Sequence, residues 1–206
     1  MLDYSLEQEL WDSGYEFVCG VDEAGRGPLC GPVVAAAVIL PRGLIIDGLN
    51  DSKKLSAKKR DAIYDLIIKN AVAYAIEQGS VEEINSTNIL EATMNAMRKA
   101  VSNLSQKADF ALIDGNIARN FPLPAKPIIG GDAKSPSIAA ASILAKVTRD
   151  RLCIEMDAQF PVYGIAKHKG YGTKDHMAAL RQYGAEPSIY RTKFIRFLNE
   201  DNNENN

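Results

Sequence analysis

Four carboxylates stand where apolar runs end. Asp22 follows Val18-Cys19-Gly20-Val21, with Glu23 directly behind it; Asp114 follows Phe110-Ala111-Leu112-Ile113; Asp132 follows Ile128-Ile129-Gly130-Gly131. Runs of this length read as buried strands, and the ends of strands in open α/β sheets are where ligand sites form. If the three runs are neighbours in one sheet, Asp22, Glu23, Asp114 and Asp132 converge on one place. Carboxylates brought together repel unless a cation neutralises them. An all-oxygen donor set selects a hard ion, Mg2+ or Mn2+, over zinc. Two such ions about 3.5–4 Å apart can hold the attacking and leaving oxygens of an in-line phosphoryl displacement. That chemistry needs several acids and no nucleophilic side chain.

Each acid also has a plainer reading. An Asp at a strand end is a routine turn or cap residue, and Asp114-Gly115 is a turn dipeptide. Adjacent strand residues point to opposite faces, so Asp22 and Glu23 share an ion only if the strand distorts between them. Gly25-Arg26-Gly27, directly after, supplies a reason for distortion. Glycine admits positive φ and close backbone approach, which exposes N–H and C=O groups to a ligand. Arg26 can fork onto a phosphate or anchor the loop on a carboxylate.

The elements that must position these residues are legible in outline. Glu16 to Asp22 reads as a strand ending at Glu23-Ala24-Gly25, and Val33 to Leu40 as a buried strand opened by Pro32. Ser56 caps a helix running to about Asn70, with Ile63, Leu66 and Ile67 on one face, and Ala71 to Gln78 is a third strand. Ser80 with Glu83 forms a capping box, and Asn88 with Glu91 starts a helix whose Leu90, Met94, Met97, Val101 and Leu104 make a core stripe. Phe110 to Ile113 and Pro127 to Ile129 are short strands. Ser135 caps, and Pro136 opens, a long helix with an unusually small-residue start, Ser137 to Ser142, able to lie close against a sheet or a ligand. Helices near 174–183 and 191–198 close the chain. The class is α/β, a mixed central β-sheet flanked by helices with a C-terminal helical part at about 161–198. Residues 1–198 read as a single domain and the Asn/Glu-rich 199–206 as a frayed tail.

The chain of 206 residues suits one domain, and 46% hydrophobic with 24% charged residues supplies a core without staples. The first sixteen residues carry Asp3, Glu7, Glu9, Asp12 and Glu16 and no Lys or Arg, the reverse of a signal peptide, and no apolar run is long enough to span a bilayer. The expected location is cytoplasmic. Cys19, Cys30 and Cys153 are odd in number, widely spaced and without a C-x-x-C, so they read as reduced core residues. The net charge of −2 conceals segregation: residues 42–60 hold six basic against two acidic residues, and 161–196 seven against two. A nucleic-acid partner is therefore compatible with the acidic balance, though solvated helix faces would look the same.

Several longer motifs are specific. Val21-Asp22-Glu23-Ala24-Gly25-Arg26-Gly27-Pro28, continued by Gly31-Pro32-Val33-Val34-Ala35-Ala36-Ala37, resembles the opening signature of ribonuclease HII, the type 2 ribonucleases H. So do Asp51-Ser52-Lys53-Lys54-Leu55-Ser56, Ile113-Asp114-Gly115-Asn116, Gly131-Asp132-Ala133-Lys134-Ser135 with the helix through Asp150, and His168-Lys169-Gly170-Tyr171-Gly172-Thr173. They occur in family order over residues 17–184. The resemblance implies a ribonuclease H-like fold and hydrolysis of the RNA strand of RNA–DNA hybrids, leaving 3′-hydroxyl and 5′-phosphate ends. It also implies nicking 5′ of ribonucleotides embedded in duplex DNA, the first step of their removal. It assigns Asp22, Glu23, Asp114 and Asp132 to two metal ions, Mn2+ or Mg2+. It assigns the backbone of Gly25, Arg26 and Gly27 to the ribose 2′-hydroxyl, and Tyr171 to the sugar 3′ of the cut. That fits the chemistry, because only close backbone approach and a hydrogen-bonding partner distinguish a hydroxyl from hydrogen.

Lys53, Lys54, Ser135, Lys146 and Arg149 are candidate phosphate contacts, with a solvated helix stripe as the alternative for Lys146 and Arg149. His168 and His176 read as structural or phosphate-contact residues, and Trp11 as a packing anchor. Two departures stand near the C-terminus: Tyr190 occupies a position that is usually His, and Lys193 one that is usually Ser, so any role of that segment is open. Ribonuclease HIII, which carries an extra N-terminal domain, fits less well, since only about twenty residues precede the Asp-Glu pair. A monomer is expected, and the acidic end is a candidate docking segment for a replication clamp. A resolvase or integrase-like nuclease and a non-catalytic hybrid-binding module are the competing classes. The first has no 2′-hydroxyl to read, and the second has no need of all four acids.

Overall fold

A computed structural model describes residues 2–49 and 55–198. Helix α1 (Ser5–Asp12) precedes strands β1 (Val18–Ala24) and β2 (Val33–Ile39). Helix α2 (Ala57–Asn70) leads to β3 (Ala73–Gly79), and helices α3 (Val81–Ser86) and α4 (Ile89–Ser102) lead to β4 (Phe110–Asp114) and β5 (Ala125–Ile128). Helices α5 (Pro136–Gln159), α6 (Ile165–His168) and α7 (Lys174–Tyr183) complete the chain. The five strands form one sheet in the order β3-β2-β1-β4-β5, antiparallel from β3 to β1 and parallel from β1 to β5. This is the expected α/β class with a mixed sheet. The continuous apolar run of β2 is explained by its place: it is buried along its whole length, between two strands and two helical layers.

Helix starts follow their caps. The side chains of Ser56, Ser80, Asn88 and Ser135 each accept from the backbone N–H three residues on, as the sequence patterns require. Alternation along β1 and β2 then sorts the core into two layers. Cys19, Val21, Ala35 and Ala37 meet Met94, Met97 and Val101 of α4, while Val34, Ala36 and Val38 meet α5 and the Ile63 and Ile67 face of α2. Leu66 does not join that face and is 43% exposed. Every residue of α5 from Pro136 to Ala145 is buried. The small-residue start lets the helix sit on the sheet at backbone distance: a Cβ on Gly20 would lie 2.1 Å from the Ser137 carbonyl carbon and 2.2 Å from the Ile138 nitrogen.

Strands β1 and β3 each start two residues later than the sequence suggests, and two further elements differ. The fifth strand is Ala125–Ile128 rather than 127–129, because Gly130 adopts a left-handed conformation that turns the chain away and leaves Ile129 exposed. Of the helix expected over 191–198, residues Thr192–Phe194 form a 3-10 turn instead, just after Tyr190 bridges Cys30 and Arg191 N bonds Leu29 O in the loop between β1 and β2. A third core gathers Cys30, Cys153, Tyr163, Ile165, Leu180, Ile189 and Tyr190, joining the C-terminal part to the loop after β1. All three cysteines are buried and free, and burial pushes the thiols of Cys19 and Cys30 up to about 12. Trp11 packs beside Tyr4 with Arg42 over its ring, an anchor for α1. Among the described residues no helix is long and apolar enough to cross a membrane.

Gly20→Ala should therefore force α5 off the sheet. The expected loss is about 1–3 kcal/mol of unfolding free energy or failure to fold. Denaturant titration beside Gly172→Ala, whose Cβ would make only ordinary contact with Leu29 at 3.5 Å and whose φ is not in the left-handed region, provides the check.

Candidate active site

The parallel pairing of β1 with β4 sets Val21 opposite Ile113, so the next residues, Asp22 and Asp114, lie side by side where the strands end. Asp22 is 4% exposed. Its Oδ1 accepts from the Glu23 amide at 2.7 Å, and its carboxylate is also hydrogen-bonded by Ser142 of α5. Burial, then the nearby Glu23 and Asp114 charges, hold the Asp22 carboxyl well above the usual carboxylate range. Asp114 Oδ1 accepts from the Gly131 amide at 2.7 Å, which ties the strand end to the 3-10 turn Gly131–Ala133 carrying the buried Asp132.

The expected strand distortion between Asp22 and Glu23 is absent. β1 stays in unbroken register with β2 through Ala24, so the two side chains leave opposite faces of the sheet. Asp22 meets α5, whereas Glu23 lies in a cleft with Leu90, Met94 and Asp114. Asp114, the last residue of β4, is common to both sides: it raises Asp22 and lines the Glu23 cleft. Beyond it the sheet no longer separates the two faces. Among the described residues no three His, Cys, Asp or Glu side chains form a ready metal cage. The chemistry of the donor set nevertheless fits hard divalent ions. It consists of carboxylate oxygens, and one of these groups is buried among like charges without a compensating cation in its hydrogen-bond set. Arg26 reaches Glu23 at 3.5 Å, the carboxylate-anchoring alternative for that side chain.

The loop after β1 is held from beneath by two buried arginines. Gly25 has φ +99°, and a Cβ there would lie 1.9 Å from Arg149 Nε. Arg149 donates to the carbonyls of Pro32, Lys169 and Cys30, and Arg191 to those of Gly31, Arg26, Pro28 and Gly25. Burial, then the neighbouring Arg149 charge, brings the Arg191 guanidinium down to about 10. Tyr171, 49% exposed, stands beside the loop: a Cβ on Gly27 would lie 3.4 Å from its ring. His168 and His176 stack at 4.1 Å, and His176 is fully buried. Nδ1 of His176 is 2.9 Å from the Tyr171 carbonyl, and its Nε2 is 2.7 Å from the Tyr190 hydroxyl.

Two phosphate-contact expectations change. Ser135 is fully buried, capping α5 and donating to Glu7 Oε1 at 2.6 Å, so no phosphate reaches it. Arg149 is 2% exposed and committed to carbonyls. Lys146 is partly exposed and pairs with Asp150 at 2.7 Å; because Arg149 is buried, the two do not share a solvent face. Lys53 and Lys54 lie outside the described residues. Sequence reasoning missed Glu7, Ser142 and Arg191. The signal for Arg191 was its place beside Tyr190 in the C-terminal segment that departs from the family pattern; nothing local pointed to Glu7.

A family model for ribonuclease HII matches residues 19–197. The chain is 60% identical over 177 residues to ribonuclease HII 1 of Methylibium petroleiphilum, covering 86% of this chain and 89% of that protein. Among solved structures, the ribonuclease H2 of Pyrococcus horikoshii superposes with a TM-score of 0.75 at 26% identity, covering 90% of this chain and 98% of the other. The ribonuclease HII of Archaeoglobus fulgidus, seen in complex with PCNA, gives 0.71 at 25% identity, covering 85% and 94%. The mixed sheet with its flanking helices is the ribonuclease H-like fold.

Two outcomes follow from the electrostatics. A carboxyl raised in the folded state costs stability as pH rises through its folded value, so Asp22→Asn should relieve repulsion at neutral pH. The melting temperature should rise by about 2–4 °C, the shift that about 1 kcal/mol produces in a chain of this size. His176 runs the other way. Burial lowers it below 6.5, so its contribution is complete above that value and is lost as pH falls towards the folded value. His176→Gln, whose amide can replace both hydrogen bonds, should flatten the stability profile between pH 7 and 5 in chemical denaturation.

Proposed function

This chain belongs to the ribonuclease HII family, nucleases acting on RNA–DNA hybrids, and on that premise we propose that it also nicks duplex DNA 5′ of single embedded ribonucleotides. The observation that supports this most directly is a juxtaposition. The exposed Gly25–Gly27 loop and Tyr171 adjoin the end of β1, whose Asp22 and Glu23 begin the acidic cluster. A device suited to one sugar thus sits beside a device suited to phosphodiester hydrolysis.

In this reading Asp22, Glu23, Asp114 and Asp132 hold Mn2+ or Mg2+, two ions during turnover. Such ions, when bound, would supply activation of a water and stabilisation of the departing 3′ oxygen, giving 3′-hydroxyl and 5′-phosphate ends. The remaining work belongs to the chain. The Gly131 amide and Ser142 fix the directions of Asp114 and Asp22, so the acids enter the reaction without reorganising. The loop backbone hydrogen-bonds the 2′-hydroxyl, and a deoxyribose there would leave those groups unpaired. Tyr171 offers its exposed ring face to the neighbouring sugar. Arg26, held near Glu23, adds positive charge beside the scissile phosphate. The positive charge of Lys53 and Lys54 and of the basic 161–196 stretch supplies the field that draws in a nucleic acid. The PCNA complex of the Archaeoglobus relative makes a sliding clamp a candidate partner.

The test is a DNA duplex with one ribonucleotide, incubated with wild-type protein and Asp22→Asn in Mn2+ or Mg2+. Nicking 5′ of the ribonucleotide is expected, with a loss of at least about 1,000-fold in the variant. Cleavage of RNA runs alone would discard the single-ribonucleotide role, and no cleavage of either by folded protein would leave a binding module.

A further inference from the structure

The C-terminal segment after Ile189 contacts both halves of the sugar-reading site. Arg191 reaches the loop: Nε donates to Gly31 O at 2.9 Å, Nη1 to Arg26 O at 3.1 Å and Pro28 O at 2.8 Å, and Nη2 to Gly25 O at 2.7 Å. The guanidinium is planar and forked, so these carbonyls are fixed in direction as well as in place. A trans peptide sets each C=O antiparallel to the following N–H. With the Gly25 and Arg26 carbonyls drawn inward to Arg191, the amides of Arg26 and Gly27 point the other way. Both residues are exposed, so two adjacent donors face solvent. Arg149 fills the space a Gly25 side chain would occupy, which blocks the loop from collapsing inward.

Tyr190 reaches the other half. A carbonyl only accepts, so the His176 Nδ1 beside Tyr171 O carries the proton, and neutral Nε2 accepts from the Tyr190 hydroxyl. Tyr190 therefore fixes the imidazole that holds the Tyr171 backbone. The segment is itself pinned. Arg191 N donates to Leu29 O, Gly31 N to Ile189 O, and Asn85 bonds both Tyr190 O and Thr192 N. Lys193, the second departure, donates to Thr87 O and adds a further tie. Adjacent residues on one strap thus hold the loop on one side and the aromatic ring on the other.

We propose that Tyr190–Arg191 is a positioning element that keeps the 25–27 amides and Tyr171 in register, and thereby sets the discrimination between ribose and deoxyribose. The inference rests on the 2′-hydroxyl-reading role given to that loop above.

The test measures binding in the Asp22→Asn background, where cleavage does not intrude. Two duplexes are used, identical but for a single 2′-hydroxyl. The ratio of their dissociation constants reads discrimination directly, while loss of general fold or charge weakens both alike. Arg191→Lys keeps the charge but not the fork, and should reduce the ratio by about tenfold, the worth of one well-placed hydrogen bond. Tyr190→Phe removes one hydroxyl and should reduce it by about threefold or more. Circular dichroism checks folding; if Arg191→Lys does not fold, Tyr190→Phe decides. An unchanged ratio in the folded variants overturns the proposal. A ratio of one in the Asp22→Asn parent is a separate outcome, which overturns the sugar-reading role of the loop itself and this inference with it.

Discussion

Backbone contact between β1 and the first turn of α5 is the constraint from which the site follows. Gly20 has no side chain, so α5 descends until its peptide groups touch the strand. The helix then runs along β1 as a ruler. From Ile138 to Arg149 it advances about 16 Å, and from Gly20 to Gly25 the chain advances about the same distance. Ile138 meets Gly20, Ser142 meets Asp22 and Arg149 meets Gly25 in step. Asp132 lies in the turn that leads directly into the helix, so its location is set by the same contact. At the helix start, Glu7 of α1 accepts from Ser135 Oγ and Ser137 N, placing negative charge where the helix dipole favours it.

The site concentrates two kinds of strain in charge rather than in covalent geometry. At the strand ends, like-charged carboxylates are packed together with a buried member, an arrangement that favours any hard cation able to enter. Behind the loop, two buried guanidiniums are satisfied by carbonyls instead of acids. Acids there would neutralise the arginines but would also leave the carbonyls of a tight loop without donors. Using the carbonyls solves both problems, and it converts charge into loop geometry.

Much of this was legible in the sequence, and for identifiable reasons. The meeting of Asp22 and Asp114 was readable because each follows an apolar run, and the caps at Ser56, Ser80, Asn88 and Ser135 have short-range patterns. Leu66 failed because helical spacing predicts a face but not how wide a neighbour covers it. Ser135 and Arg149 failed in an instructive way: both belong to a recognisable motif, yet the motif reflects packing as much as contact with a ligand. Tyr190 looked like an unexplained departure. Its role appears only when residue 176, fourteen positions earlier, is brought under it by the third core. Long-range pairing of that kind leaves no periodic trace.

The three buried thiols have a practical consequence. Cys19 and Cys30 are pushed up to about 12 and Cys153 is raised as well, so at neutral pH none offers an appreciable thiolate, and none is open to solvent. The native protein is accordingly inert to alkylating labels while folded. A single cysteine introduced on an exposed position near Tyr171 would be the one reactive handle, giving a fluorophore or spin label a defined seat from which to watch a duplex arrive.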